Sequence, residues 1–327
     1  MKKILVTGAG GFIGSHLVKR LKDEGYWVRA TSRHSPVYGE LAQANEYVCF
    51  DLFEEANTRQ FDELFIDIDE VYHLAADMGG IAYIHADDAN TATTNSIIDI
   101  NCLIAAHKMK VKKFFYASSA CVYPAYKQSD SVSNILSEDD AYPAAPDDGY
   151  GMAKLFVEHM CQLYAMKGMK TRIGRLHTIY GPYCLYEGER AKAPLALCRK
   201  VSESNDRGSI EIWGDGKQSR SILYIDDAIT AIRGLMDSGY PSPVNIGASE
   251  LHTIDSIVDE LCKISGKRLT KVHQLDKTQG VRGRCSDNTL IERLLGWTPK
   301  VGLHDGLTLT YKWVESQVRS KQEISIW

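Results

Sequence analysis

Several features are missing from this chain, and each absence excludes something. No apolar run reaches the roughly 18 residues that would suggest a membrane span, so no membrane partner is expected. Basic excess is missing too. The 38 Lys and Arg face 42 Asp and Glu, a net charge of −4, which gives no footprint of a nucleic-acid binder. The eight cysteines, at 49, 102, 121, 161, 184, 198, 262 and 285, form no CxxC pair, so a zinc or dithiol reading has no support and no metal is expected. There is no internal repeat and no low-complexity tract. The start, Met1-Lys2-Lys3-Ile4-Leu5-Val6, runs at once into a strand-like segment and has no signal-peptide architecture. A cytoplasmic protein with reduced thiols is therefore expected.

What remains is an ordinary globular composition, 44% hydrophobic and 24% charged over 327 residues, enough for a large core. Apolar strand-like segments at 3–6, 27–31, 47–50, 71–74, 114–117 and 171–175 alternate with helical stretches, among them 90–107 and 150–167. Such βαβ alternation predicts a parallel sheet. After about residue 177 the segments shorten, with turn clusters at Tyr180-Gly181-Pro182, Gly214-Asp215-Gly216 and Pro241-Ser242-Pro243. The expected fold is α/β: a Rossmann-type doubly wound parallel sheet over 1–176, then a smaller C-terminal α/β substrate lobe over 177–327, some of whose segments return to the sheet.

The first turn carries chemistry. Thr7-Gly8-Ala9-Gly10-Gly11-Phe12-Ile13-Gly14 follows a strand and opens a helix. Gly8, Gly11 and Gly14 make GxxGxxG, a variant of the dinucleotide fingerprint: a tight turn, close approach to a pyrophosphate, and a helix N-terminus facing it. Phe12, Ile13, Leu52, Leu74, Ala75 and Ala76 are expected to line the cofactor, and Asp51 to touch its adenine end. At the end of the second strand an acid would bind a ribose 2′-OH. The chain has Ser32-Arg33-His34 there, and Arg33 suits a 2′-phosphate, so NADP is expected to be served at least as well as NAD.

Tyr150-Gly151-Met152-Ala153-Lys154 puts a phenol and an ammonium four residues apart at a helix start, on one face. A nearby ammonium favours the phenolate, which makes the pair a usable general base at neutral pH. Ser119, after the strand at 114–117, can bond the same substrate oxygen. Together with GxxGxxG, Asn95 and Tyr180-Gly181-Pro182, these motifs resemble the extended short-chain dehydrogenase/reductase superfamily over nearly the whole chain. Leu74-Ala75-Ala76-Asp77-Met78-Gly79-Gly80, Ser118-Ser119-Ala120-Cys121-Val122-Tyr123-Pro124, Lys192-Ala193-Pro194, Trp213-Gly214-Asp215-Gly216 and Gly280-Val281-Arg282-Gly283-Arg284 narrow the resemblance to the GDP-mannose 3,5-epimerase family.

That resemblance implies an isomerase with a tightly bound NAD or NADP regenerated in each turnover. It implies that Tyr150, Lys154 and Ser119 serve the redox step, and that Cys121 and Lys192 are the acid/base pair. Oxidising a C4 hydroxyl to a ketone makes the hydrogens on C3 and C5 acidic, and a thiol and an ammonium are suitable groups to exchange them. A GDP-sugar is the implied partner, held by Gly79, Gly80, Ser119, Cys121, Thr178, Lys192, Lys200, Gln218, Arg220, Arg282 and Arg284. Two positions depart from the family pattern: Ala191 stands where an acid usually precedes the lysine, and Thr178 where asparagine is usual. A homodimer is implied, paired through the helices near 90–107 and 150–167. The competing readings are another nucleotide-sugar 4-epimerase or 4,6-dehydratase, and, from a different class, a non-catalytic NAD(P)-sensing protein.

Overall fold

A computed structural model describes all residues except 37–38, 55–57, 133–134, 278 and 325–327. Its centre is a seven-stranded parallel sheet. In spatial order the strands are Pro243–Ile246, Lys170–Leu176, Lys113–Ser119, Glu70–His73, Lys3–Thr7, Trp27–Ser32 and Glu46–Cys49. Side chains along a strand alternate between faces, and the core divides accordingly. Ile4 and Val6 enter one apolar cluster and Leu5 the other; Phe114 and Tyr116 enter the second and Phe115 the first. Both faces are covered, as a parallel sheet requires. The helix Phe12–Asp23 buries Leu17, Val18 and Leu21 on one side. The helices Asp88–Lys108 and Gly149–Met166 pack side by side on the other.

The strand order reverses at Lys3–Thr7, which pairs Trp27–Ser32 on one side and Glu70–His73 on the other. Such a switch point opens a crevice at the carboxyl ends of the strands. The glycine turn, the Leu74–Gly80 segment and Ser119 all leave the sheet at that edge.

The chain returns to this sheet after 177. Pro241-Ser242-Pro243, read from sequence as a turn, opens the strand Pro243–Ile246 instead. Among the described residues it pairs only with Lys170–Leu176, at the sheet's edge, where a proline without an N–H is tolerated. The remaining segments build a five-stranded sheet around Ser219–Tyr224, with Leu251–Thr253, Gly283–Ser286, Thr178–Tyr180 and Ile135–Leu136. The last of these comes from the first half of the chain, so the two halves interlock. Ser209–Trp213 and Thr270–Gln274 form a separate parallel pair. Among the described residues no helix is long and apolar enough to cross a membrane.

Candidate active site

Gly8 takes a left-handed conformation, φ +67°, and a side chain on it would meet the Ala75 backbone nitrogen at 2.7 Å. A side chain on Gly14 would meet the Gly8 carbonyl oxygen at 2.2 Å. Only glycine fits either place. The helix that follows begins at Phe12 with no side-chain cap on Gly11, so its first N–H groups are offered to an anion. The cradle fits a dinucleotide pyrophosphate. Phe12, Ile13, Leu74 and Ala75 are half-buried around it, Ala76 is exposed and Leu52 is buried. Asp51 accepts from the backbone of Phe53 and Glu54 in its own turn. Arg33 lies 3.9 Å from the Asp77 carboxylate, so the guanidinium expected to meet a 2′-phosphate already has a partner in the protein.

Beneath the crevice lies a charged network that the sequence reading did not anticipate. Asp99, wholly buried, accepts from His73 Nε2 at 2.8 Å, from the Tyr116 hydroxyl at 2.6 Å and from Lys154 Nζ at 3.0 Å. Burial pushes its carboxyl pKa up, but Lys154 and His73 override that and hold it below the ordinary carboxylate value. His73 Nδ1 lies 2.8 Å from the Thr7 hydroxyl, whose oxygen accepts from the backbone of Leu74 and Ala75. One tautomer satisfies every group: Nε2–H donates to Asp99 and Nδ1 accepts from Thr7. The only hint in the sequence was an acid on a buried helix face beside Asn95, Ile98, Cys102 and Leu103.

Tyr150 is buried, and the Lys154 ammonium sits 5.7 Å from its ring centroid. Burial pushes the phenol well up; Cys121, Asp99 and Asp148 add to this, while a hydrogen bond from Ser119 opposes it. Gly151 explains the glycine next to the tyrosine, since a side chain there would strike the Cys121 carbonyl oxygen at 2.2 Å. Cys121 itself is fixed by a short turn in which its N–H donates to Ser119 Oγ at 3.1 Å. Cys121, Tyr150 and Ile84 pack as one cluster.

A cavity of about 360 Å³ opens above them, within the size range of small-molecule sites. Of the expected substrate residues, Gly79, Gly80, Ser119, Cys121, Thr178, Lys192, Lys200, Gln218, Arg220 and Arg284 line it. Arg284 donates to the Cys121 sulfur at 3.5 Å. Burial, with Arg284 beside it, lowers the Arg220 guanidinium to about 9. Arg282 departs from expectation. It grips Asp215 through two bonds of 2.7 and 2.8 Å, and it is not among the residues lining the cavity. The WGDG turn supplies the carboxylate, Asp215, that holds it there.

Lys192 stands at the N-cap of the helix Ala193–Glu203, where Pro194 starts the first turn. Its loop is stapled to the cofactor side. Arg190 donates to Asp77 at 2.9 Å, bonds the Tyr83 hydroxyl and lies 4.0 Å over the Tyr83 ring. Asp77 is held in turn by Asn95, which accepts from its N–H at 2.9 Å and donates to its carbonyl at 2.8 Å. A side chain on Gly80 would stand 3.0 Å from the carbonyls of Glu189 and Ala191, so the second glycine of the MGG turn lets this loop dock. Asp77, Tyr83, Glu189 and Arg190 were not foreseen, since only folding brings the two segments together.

A glycine cradle at a switch point, with a tyrosine–lysine helix beside it and a cavity above, defines a dinucleotide-dependent enzyme of the short-chain dehydrogenase/reductase type. The model of the NAD dependent epimerase/dehydratase family matches residues 4–247, and the chain belongs to that family. It is 41% identical to a GDP-mannose 3,5-epimerase of Arabidopsis thaliana over 98% of this chain and 84% of that protein. It is 40% identical to GDP-mannose 3,5-epimerase 1 of Oryza sativa subsp. indica over 98% of this chain and 83% of that one. Among solved structures, a UDP-glucose 4-epimerase of Thermotoga maritima superposes with a TM-score of 0.86 at 28% identity, covering 97% of this chain and 99% of that one. A UDP-glucuronic acid 4-epimerase of Bacillus cereus, solved with UDP-glucuronic acid and NAD, gives 0.82 at 31% identity over 96% and 99%.

Asp99→Asn is expected to destabilise the protein by about 3–5 kcal/mol, because it leaves Lys154 buried without its counter-charge. Because the folded-state pKa of Asp99 is lowered, its stabilising contribution is full above the unfolded carboxylate value of about 4 and is lost as pH falls through the folded one. Denaturant unfolding at neutral and acidic pH checks both: the gap between wild type and variant should narrow in acid. A constant gap would refute the charged role.

Proposed function

We propose that this chain is a GDP-mannose 3,5-epimerase, converting GDP-D-mannose to GDP-L-galactose, with GDP-L-gulose arising from inversion at C5 alone. The observation that carries the reading is that a thiol and an ammonium, Cys121 and Lys192, line the same cavity as the redox serine Ser119, with Tyr150 packed against Cys121. The chain's 41% identity to the Arabidopsis enzyme over nearly its whole length supports the same conclusion.

NAD, when bound, supplies the reversible oxidation of the C4 hydroxyl to a ketone. The Tyr150 phenolate takes the hydroxyl proton and later returns it. Ser119, bonded to the Tyr150 hydroxyl, holds the substrate oxygen. Burial and the neighbouring acids hold the Tyr150 phenol protonated in the free protein, and the Lys154 ammonium, 5.7 Å from its ring, is the nearby positive charge that works against them when the phenolate forms. Cys121 and Lys192 remove a proton at C5 or C3 and deliver one to the opposite face. The Arg284 guanidinium donates to the Cys121 sulfur at 3.5 Å and so holds the thiol in place. Arg220 and Arg284 meet the diphosphate.

The other readings are weaker. In a 4,6-dehydratase an acid would be expected in the Ser119 loop, where Ala120 and Cys121 stand. A 4-epimerase needs no second acid/base pair beyond its redox groups. A sensor needs no base, yet Tyr150 and Lys154 are buried together. The eight free thiols favour a reducing compartment, the cytoplasm.

Incubation with GDP-mannose in heavy water should place deuterium at C5, and at C3, as read by NMR of the product. Turnover without deuterium in the sugar would dismiss the two-base scheme.

NAD is the dinucleotide we assign. The family description names it, and the Asp77 carboxylate near Arg33 would repel a 2′-phosphate. We also infer a homodimer. Ile104, Met152, Phe156, Leu163 and Met166 are all exposed on the helices Asp88–Lys108 and Gly149–Met166, an apolar face that a second copy would cover. Native mass spectrometry is expected to show a dimer carrying two NAD. A monomer would remove the pairing, and bound NADP would restore the 2′-phosphate role to Arg33.

A further inference from the structure

The cavity extends well beyond the reacting end. Lys192 caps the helix Ala193–Glu203, and Lys200 lies on the same helix eight residues later, about 12 Å along the axis at 1.5 Å per residue. That is the scale of a diphosphate and ribose joining a sugar to a base. At this far end the cavity wall consists of Lys200, Glu211, Trp213, Gln218 and Gln279.

The polar groups there form a pattern. Lys200 Nζ donates to the Glu211 carbonyl at 3.0 Å and lies 3.5 Å from the Glu211 carboxylate, so a cation and an anion stand side by side on one wall. The ammonium also lies 5.8 Å over the half-exposed Trp213 ring. Gln218 donates its Nε2 to the Trp213 carbonyl at 2.8 Å. That bond fixes which way the amide faces, and its buried Oε1 has no hydrogen-bond partner among the described residues.

From this arrangement we propose that Glu211 and Lys200 read the edge of the nucleotide base and select guanine. The proposal rests on the GDP-sugar reading above and assigns the residues that choose the nucleotide. Guanine presents two adjacent donors, N1–H and N2–H₂, that match the two oxygens of a carboxylate, with the O6 acceptor next to them for an ammonium. Uracil offers one N–H flanked by two carbonyls, and those would face the Glu211 carboxylate with repulsion. Adenine and cytosine offer an amino group beside a bare ring nitrogen, so one carboxylate oxygen would meet a lone pair. Only guanine complements an anion and a cation in this order. The discrimination is large because a site built to receive a donor is left with an unpaired charge when the donor is missing.

Titration calorimetry of the NAD-loaded protein with GDP, IDP and UDP tests this. IDP keeps N1–H and O6 and lacks only the 2-amino group. The wild type should bind GDP at least about tenfold tighter than IDP, as expected for a hydrogen bond to a charged group, and UDP weaker still. Glu211→Gln, at a half-exposed position that folding tolerates, should weaken GDP and bring the GDP:IDP ratio close to one. Lys200→Gln should weaken GDP and IDP alike, because both carry O6. If Glu211→Gln leaves the three affinities unchanged, the Glu211–Lys200 contact is a surface ion pair only and the proposal falls, with the epimerase reading intact. If the wild type itself binds UDP as tightly as GDP, the GDP-sugar reading falls as well.

Discussion

A single buried carboxylate, Asp99, holds together the parts on which this site depends. A charge removed from water must be matched by partners, or it disfavours the fold. Asp99 receives three donors, from a sheet strand (His73), its neighbouring strand (Tyr116) and the Gly149–Met166 helix (Lys154). Through His73 it reaches Thr7, the residue that leads into the glycine turn. The cradle for the dinucleotide and the helix carrying Tyr150 and Lys154 are thereby registered to one another through side chains. Apolar packing alone would let the helix shift by small amounts. A buried, fully bonded charge ties the three elements to one arrangement.

The upper half of the site is assembled differently, by contacts across segments far apart in sequence. Asn95 fixes the backbone of Asp77. Asp77 and Tyr83 receive Arg190, and Gly80 makes room for the loop's carbonyls. Lys192 is therefore placed by the segment that follows the strand Glu70–His73, although it belongs to a different element. The Cys121 side is placed by Ser119 and by the clearance that Gly151 provides. Ser119, Cys121 and Lys192 line one cavity because both loops dock at the same end of the sheet.

Much of this was legible in the residue pattern. Strict alternation of apolar strands and amphipathic helices located six of the seven sheet strands to within one or two residues. The motif glycines and the Tyr150/Lys154 spacing are local signals, and the structure places their residues at one edge. What the sequence concealed is non-local. Pro243 resembles a turn residue until it is seen on an edge strand. Arg282 and Arg284 look equivalent until Asp215 takes the first. Asp99 reads as a stray acid on a helix, because its three partners come from other elements. Glu211 is one carboxylate among many, and only its place beside Lys200 in the cavity wall singles it out.

The central claim is a division of labour, in which Tyr150 and Lys154 make and unmake a ketone while Cys121 and Lys192 move protons. It is tested most directly by quenching the NAD-loaded protein with borodeuteride during incubation with GDP-mannose, then locating deuterium in the sugar. Cys121→Ser should still form the ketone and so acquire deuterium at C4, whereas Tyr150→Phe should acquire none. Equal labelling of C4 in both variants, or none in Cys121→Ser, would contradict the account.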